Sequence, residues 1–375
     1  VLEVLMKYIG IMSGTSLDGI DAVICEFSAD NQVQLIAKHS LPFEPQLQAD
    51  LQKLLREFTL HLRELGELEV RLAINYAAAV AKLLAVAKLD ASDITAIGCH
   101  GQTVYHDPYN QYPFSLQLVD GNKLAQLTGI DVVCDFRRMD MAYGGQGAPL
   151  TPVFHKYFLQ ETQARIILNL GGIANITVLD PSSEQVIGFD TGPANCLIDL
   201  WMQDSYQLKY DENGALARNG QIIPELLARM LQDPYFSLAA PKSTGKEIYH
   251  LVWVQQHLQA LNLAHAAAGD VLRSLVELTA ITVSDAIKTV INPALVEAIY
   301  ACGGGAYNQF LLERIAANSQ IKVRTTQELG IDVDQMEAIA FAWFAKRRVE
   351  KLPANYETVT GASQKCILGA LYAGK

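Results

Sequence analysis

Charge is scarce in this chain. Of 375 residues only 18% are Asp, Glu, Lys or Arg, half are hydrophobic, and 40 acidic residues against 29 basic ones leave a net charge of −11. No broad basic face can be assembled, which argues against general nucleic-acid or anionic-membrane binding. The basic residues are scattered apart from short groups such as Lys346-Arg347-Arg348, which reads as a solvated helix end. Cysteine is also sparse: residues 25, 99, 134, 196, 302 and 366 are far apart and form no CxxC pair. Buried, reduced thiols in a cytosolic compartment are the expectation. Val1–Leu5 lacks a basic start and a long apolar run, so no secretory signal is read there, and Met6 is a candidate native start. The most apolar long segment, Arg71 to Leu89, is interrupted by Arg71, Lys82 and Lys88. It reads as a buried amphipathic helix and not as a membrane span.

High hydrophobicity with low charge excludes a disordered chain, and the length suffices for two domains with two cores. Strands are expected at 7–12, 21–27, 33–38, 94–99, 115–118 and 131–135, then at 166–170, 175–179, 186–189, 297–301 and 321–323. Helices are expected at 45–57, 63–89, 121–128, 149–160, 194–205, 270–290, 306–317 and 335–348. This is an α/β order with mixed sheets. One stretch is echoed. Tyr8 to Phe27, YIGIMSGTSLDGIDAVICEF, reads strand, Gly-rich polar turn, strand, and Arg165 to Asp180, RIILNLGGIANITVLD, repeats that plan about half a chain later. Two like halves would leave a cleft between them. Tyr206 to Lys246 is polar and turn-rich and reads as an insertion over the second half.

The first turn, Ser13 to Asp21, holds more glycine, hydroxyl and carboxylate than a reversal needs. Successive N–H groups in a Gly-containing turn make an anion site, Thr15 and Ser16 add donors, and Asp18 or Asp21 could hold Mg²⁺. Alone it would be a surface loop; the second loop, Asn169 to Asn175 with Gly171-Gly172, favours a function. Glu297 to Asn308 runs an apolar strand into Gly303-Gly304-Gly305 and a helix, for a close ligand or for close packing. It lacks the GxGxxG pattern of a dinucleotide site. Asp190 is expected at a strand end, with Gly192-Pro193 opening a helix, a place for a general base or for a helix cap. Arg137 and Arg138 follow a strand, where an arginine can pair with a carboxylate or phosphate or form a surface ion pair. His100 is expected after a strand, Gly144 to Pro149 near the junction of the halves, and Glu337 at a helix start.

The series MSGTSLDGIDAV, CHGQTVYH, DFRRMDMAYGGQGAPL, LNLGGIANIT, FDTGPAN, CGGGAYN and MEAIAFAW, running in order from Tyr8 to about Trp343, resembles the anhydro-N-acetylmuramic acid kinases. The resemblance implies two duplicated mixed-sheet domains of the sugar kinase/Hsp70/actin (ribonuclease H-like) type around a central cleft. It implies a first domain at 1–135 with approximately 349–375, and a second at 136–348. It implies an ATP- and Mg²⁺-dependent conversion of 1,6-anhydro-N-acetylmuramic acid and water to N-acetylmuramic acid 6-phosphate, in bacterial cell-wall recycling. Carried residue by residue, Gly14, Thr15, Ser16, Leu17, Asp18, Gly19, Ile20 and Asp21 would bind ATP phosphates, with Asp18 and Asp21 on the metal. Gly171, Gly172 and Asn175 would form the second phosphate loop, and Gly303, Gly304, Gly305 and Asn308 would meet the adenosine. Asp190 would be the base that activates water. His100, Arg137, Arg138, Gly145, Gln146 and Glu337 would meet the sugar. Met139 departs from the family, which often carries a basic residue there, so the choice between Arg137 and Arg138 for the lactyl carboxylate stays open. The partner implied is a small amino sugar in the cytoplasm, with no nucleic acid and no membrane; a homodimer is left open.

Two other readings remain. Another kinase of the superfamily would deprotonate a free sugar hydroxyl with Asp190. A nucleotide-switched binding protein would hydrolyse ATP slowly without any sugar dependence. A sugar-phosphate hydrolase without ATP leaves both Gly-rich hairpins and the triple glycine unexplained.

Overall fold

The computed structural model describes residues 6–14, 17, 19–28, 32–245 and 248–374. The chain divides into two compact units, Val1–Phe158 with Gln335–Lys375, and Leu159–Asp334.

The first unit is built on a mixed sheet. Strands β1 (Lys7–Ser13), β2 (Ile20–Phe27) and β3 (Val33–Leu41) form an antiparallel meander. On its other side β1 pairs in parallel with β4 (Ile94–Asp107). A short strand, β5 (Phe114–Leu118), folds back on β4, and β6 (Val132–Cys134) runs parallel to it. The second unit repeats the plan. Strands β7 (Ala164–Leu170), β8 (Ile173–Leu179) and β9 (Ile187–Pro193) form the meander, β10 (Val296–Cys302) lies parallel to β7, and β11 (Val323–Thr325) lies parallel to β10. A last strand, β12 (Ala370–Tyr372), pairs antiparallel with β6 and closes the edge of the first sheet. Each sheet therefore has a meander whose first strand also leads a parallel run. The faint echo between the two hairpins is a duplicated topology, that of the sugar kinase/Hsp70/actin type.

Helix Met336–Val349 explains where the division falls. Its sequence, MEAIAFAWFAKRRV, is buried over most of its length, and it packs on β1, β2 and β4. Gly10 and Gly98 sit opposite each other on β1 and β4. A Cβ on either would run into the backbone carbonyls of Ala338 and Phe341. Two facing glycines let the helix lie directly on the sheet, so 335–348 belongs to the first unit and not to the second. Residues 136–158 also fall in the first unit, in contrast to the expected 1–135 boundary.

Helix Leu62–Ala87 buries Leu68, Leu72, Ala73, Tyr76, Ala79, Val80 and Leu83, a stripe at three- and four-residue spacing facing β2 and β3. Length and composition would let it cross a membrane; here it carries the amphipathic packing expected of it. The supposed insertion at 206–246 contributes core. Helices Ala215–Asn219 and Pro224–Met230 lie within it, and Leu226 and Met230 are fully buried. All six cysteines are buried free thiols.

Candidate active site

In the first unit the β1–β2 reversal is anchored at several points. The Leu17 N–H donates to the Gly14 carbonyl at 3.1 Å. Leu17 has φ 59°, in the left-handed region, with its side chain sunk in the core at 2% exposure. Its carbonyl accepts from Gln48 Nε2 at 2.8 Å, and the Gly14 carbonyl accepts from Gln102 Nε2 at 3.3 Å. Gly19 lies against the Leu41 carbonyl, and Ile20 is buried in β2. Asp21 pairs across the ladder with Met12 and accepts from Ser40 Oγ at 2.5 Å. Thr15, Ser16 and Asp18 lie outside the described residues.

Near this loop the fold gathers a polar cluster. Arg137 donates from Nε and Nη2 to His100 Nε2, at 3.1 and 2.9 Å, and from Nη1 to the Gly147 carbonyl at 2.7 Å. A guanidinium only donates, so His100 Nε2 accepts, and the ring proton sits on Nδ1, which donates to the Gly101 carbonyl at 2.9 Å. His100 is therefore neutral; burial first, and Arg137 second, hold its pKa far below the ordinary 6.5. It lies inside β4, which runs eight residues past the expected end at 99, and not after the strand. Glu337 opens helix Met336–Val349 and is pushed up by burial, with Asp21 raising it further and Arg137 pulling the other way. His100, Arg137, Glu337 and Asp21 thus share one electrostatic neighbourhood. Arg138 is not part of it: its side chain is 58% exposed and pairs with Asp135 at 3.6 Å.

The glycine-rich segment after the arginines is set by a carboxylate that the sequence reading passed over. Asp140 is completely buried and accepts from Gly147 N at 2.9 Å, Asn355 Nδ2 at 2.9 Å and Thr360 Oγ1 at 2.7 Å. Gly145 leaves room for that carboxylate, since a Cβ there would overlap it. Gln146 donates its N–H to the Thr360 carbonyl at 2.8 Å, and its side-chain oxygen accepts from Tyr109 at 3.3 Å.

In the second unit the ladder aligns Cys302, Asn169, Asn175 and Asp190 across β10, β7, β8 and β9. Residues directly opposite one another share a face of the sheet, so Asn175 and Asp190 are neighbours. Asp190 sits within β9, which runs on through Gly192 and Pro193; the following helix begins at Asn195. The expected strand end at Asp190 and helix start at Gly192-Pro193 are corrected accordingly, because both residues still pair with β8. The segment 234–244 wraps the carboxylate. Thr244 N donates to Asp190 Oδ2 at 3.0 Å, Tyr235 OH to the Asp190 carbonyl at 2.7 Å, and Asp190 N to the Lys242 carbonyl at 3.2 Å. The Lys242 ammonium, 4% exposed, donates to the carbonyls of Tyr235 and Phe236 and lies over the rings of Tyr235 and Phe189. Burial lowers its pKa and the Asp190 charge opposes that. A carboxylate oriented by a backbone N–H, with a cation nearby, is suited to accept a proton from a bound water. Lys242 and Thr244 carried no periodicity or motif in the sequence; only the path of this segment brings them to Asp190.

The glycines of this unit divide by role. The Gly171 and Gly172 carbonyls accept from the N–H groups of Ala194, Asn195 and Cys196, so this turn caps the helix Asn195–Tyr206. At Gly303, φ is 77° and a Cβ would meet Asn169 Oδ1 at 2.5 Å; at Gly305 it would meet Leu170 Cβ at 2.6 Å. Those two glycines allow the loop to pack on the β7–β8 turn. Gly304 faces open space. Asn308 caps helix Gln309–Ser319 through a bond from Leu311 N at 3.0 Å.

The family model for anhydro-N-acetylmuramic acid kinase matches residues 6–374. The chain is 46% identical over 370 residues to the anhydro-N-acetylmuramic acid kinase of Shewanella oneidensis, covering 98% of this chain and 99% of that one. It is 45% identical over 374 residues to that of Pasteurella multocida, covering 99% and 97%. Among solved structures, component A of the Acidaminococcus fermentans (R)-2-hydroxyglutaryl-CoA dehydratase aligns at TM-score 0.48 and 11% identity, over 92% of this chain and all of that one. The matches to kinase relatives extend over almost every residue, and the chain belongs to the anhydro-N-acetylmuramic acid kinase family.

Proposed function

We propose that this protein phosphorylates 1,6-anhydro-N-acetylmuramic acid on O6 with ATP while water opens the 1,6-anhydro ring, yielding N-acetylmuramic acid 6-phosphate for peptidoglycan recycling in the cytoplasm. The observation that carries the reading is the family match over residues 6–374, which makes the chain a sugar kinase. Asp190 takes a proton from the water that attacks C1. The C1–O6 bond breaks through an oxocarbenium-like state, O6 takes the γ-phosphoryl group as its bond to ADP breaks and ADP leaves, and the water's proton remains on Asp190. The phosphoryl group captures the leaving oxygen, so one essential carboxylate serves where an ordinary glycosidase uses two. The Thr244 N–H fixes the orientation of the base, and the buried Lys242 ammonium lies close enough for the two charges to interact. Arg137, held by neutral His100, is the partner of the lactyl carboxylate; exposed Arg138 is not. Gly304, with no neighbour where a side chain would stand, leaves space for the adenosine.

Mg²⁺ in phosphoryl-transfer sites is held by one or two carboxylates with phosphate oxygens and water. Among the described residues no group of three or more His, Cys, Asp or Glu forms a cage, and Asp21 offers one carboxylate steadied by Ser40. That single carboxylate fits a phosphate-borne ion, which Asp21 would help to hold and whose charge would neutralise the phosphates.

The test is isotopic. Turnover in ¹⁸O-water, quenched before anomeric exchange, should put the label on C1 alone and initially as the inverted anomer. Asp190→Asn should bind ATP but lose phosphorylation and ring opening together. Label in the phosphate, or near-normal turnover by Asp190→Asn, overturns the mechanism.

A further inference from the structure

We infer that Gln48 is a positioning residue for the phosphate donor, acting through the Leu17 carbonyl; this rests on the proposed reading of Gly14–Asp21 as the phosphate loop. A bulky residue in the left-handed region is uncommon and persists only where its surroundings over-determine it. Two features do so at Leu17: its side chain is sunk in the core, and its carbonyl is tied at 2.8 Å to Gln48 Nε2. At the other end of the same turn the Gly14 carbonyl is tied to Leu17 N and to Gln102 Nε2. A loop that receives phosphate offers N–H groups and must keep carbonyl oxygens away from the anion. The two glutamine amides hold the carbonyls at both ends of the turn.

Gln48 stands in the first turn of helix Pro45–Glu57, which is fixed independently of it. Glu44 caps the helix by accepting from Gln46 N and Leu47 N, and Leu47, Leu51 and Leu54 are buried in the core that also holds Leu17. The Gln48 side chain is only half-buried, and its amide donates out of the helix to the loop. Nothing in its sequence surroundings marks it, because its partner is a backbone carbonyl 31 residues away.

The experiment measures steady-state kinetics on anhydro-N-acetylmuramic acid for Gln48→Met, which keeps the length and removes the N–H, and Gln48→Glu, which puts an acceptor against the carbonyl. Loss of one neutral hydrogen bond should raise the KM for ATP about three- to tenfold. Gln48→Glu should raise it further, and in both variants the KM for the sugar and the melting temperature should hold. A general structural role would lower the melting temperature or move both KM values together. Asp18→Asn separates this inference from the reading beneath it. If Asp18→Asn raises the KM for ATP and the Gln48 variants do not, Gln48 has no positioning role. If none of the three changes it, the loop assignment falls as well.

Discussion

The first unit should lose much of its stability between pH 7.5 and 5, through histidines buried as neutral rings. Burial lowers the pKa of His106 to about 4 and of His155 to about 3, from an ordinary 6.5; Arg137 adds to the effect at His106. For a base with a depressed folded pKa, the unfolded chain binds the proton more readily. Stability is complete above 6.5 and is lost as the pH falls from there through the folded values. At pH 5 an unfolded histidine is almost fully protonated while both buried rings remain largely neutral, which is worth about 2 kcal/mol each. His100 is shifted in the same direction. The sum, about 4 kcal/mol before His100, is a large part of the roughly 5–15 kcal/mol that stabilises a typical domain. Glu337, raised by burial, opposes it, since its folded form takes up a proton as the pH falls. Carboxylates held low by hydrogen bonds, such as Glu277 with Arg314 and Asn318, titrate below this window. The assay is urea unfolding at pH 7.5 and 5.0, with Trp201 and Trp253 changed to Phe so that Trp343, buried against Phe154 and Phe158, reports on the first unit. His155→Phe should reduce the loss between the two pH values by about 2 kcal/mol, whatever it does to stability at either one. Equal unfolding midpoints at both pH values, or an unchanged loss in His155→Phe, would refute the reasoning.

Two further outcomes test the proposed ligand contacts. Arg137→Ala should cost roughly 2–5 kcal/mol of apparent affinity for anhydro-N-acetylmuramic acid and much less for anhydro-N-acetylglucosamine, which lacks the lactyl group; Arg138→Ala should change neither, and the reverse pattern would exchange their roles. Gly303→Ala should lower the melting temperature because its Cβ meets Asn169 and its φ is positive, whereas Gly304→Ala should fold normally and raise the KM for ATP; equal melting temperatures for the two would remove the distinction.

What the sequence determined was local or repetitive. Short apolar runs such as Ile166 to Leu170 marked strands, and three- and four-residue spacing marked Leu62–Ala87 as a helix. Gly-rich reversals in two like contexts marked the duplication, and a series of motifs marked the family, because each is written in consecutive residues. Tertiary structure decided what depends on contacts distant in sequence. Whether Arg137 or Arg138 joins His100 follows from the turn after β6, which sends one side chain inward and leaves the other at the surface. Asp140 acquires its role from Asn355 and Thr360, more than 200 residues away. Lys242 reaches Asp190 only because the segment after Tyr235 folds back over β9. Met336–Val349 belongs with the first sheet because Gly10 and Gly98, on strands far apart in sequence, face each other and admit its backbone. Periodicity reports which face of an element is buried; the partner of a polar side chain is set by where the chain returns, and that information is spread over the whole fold.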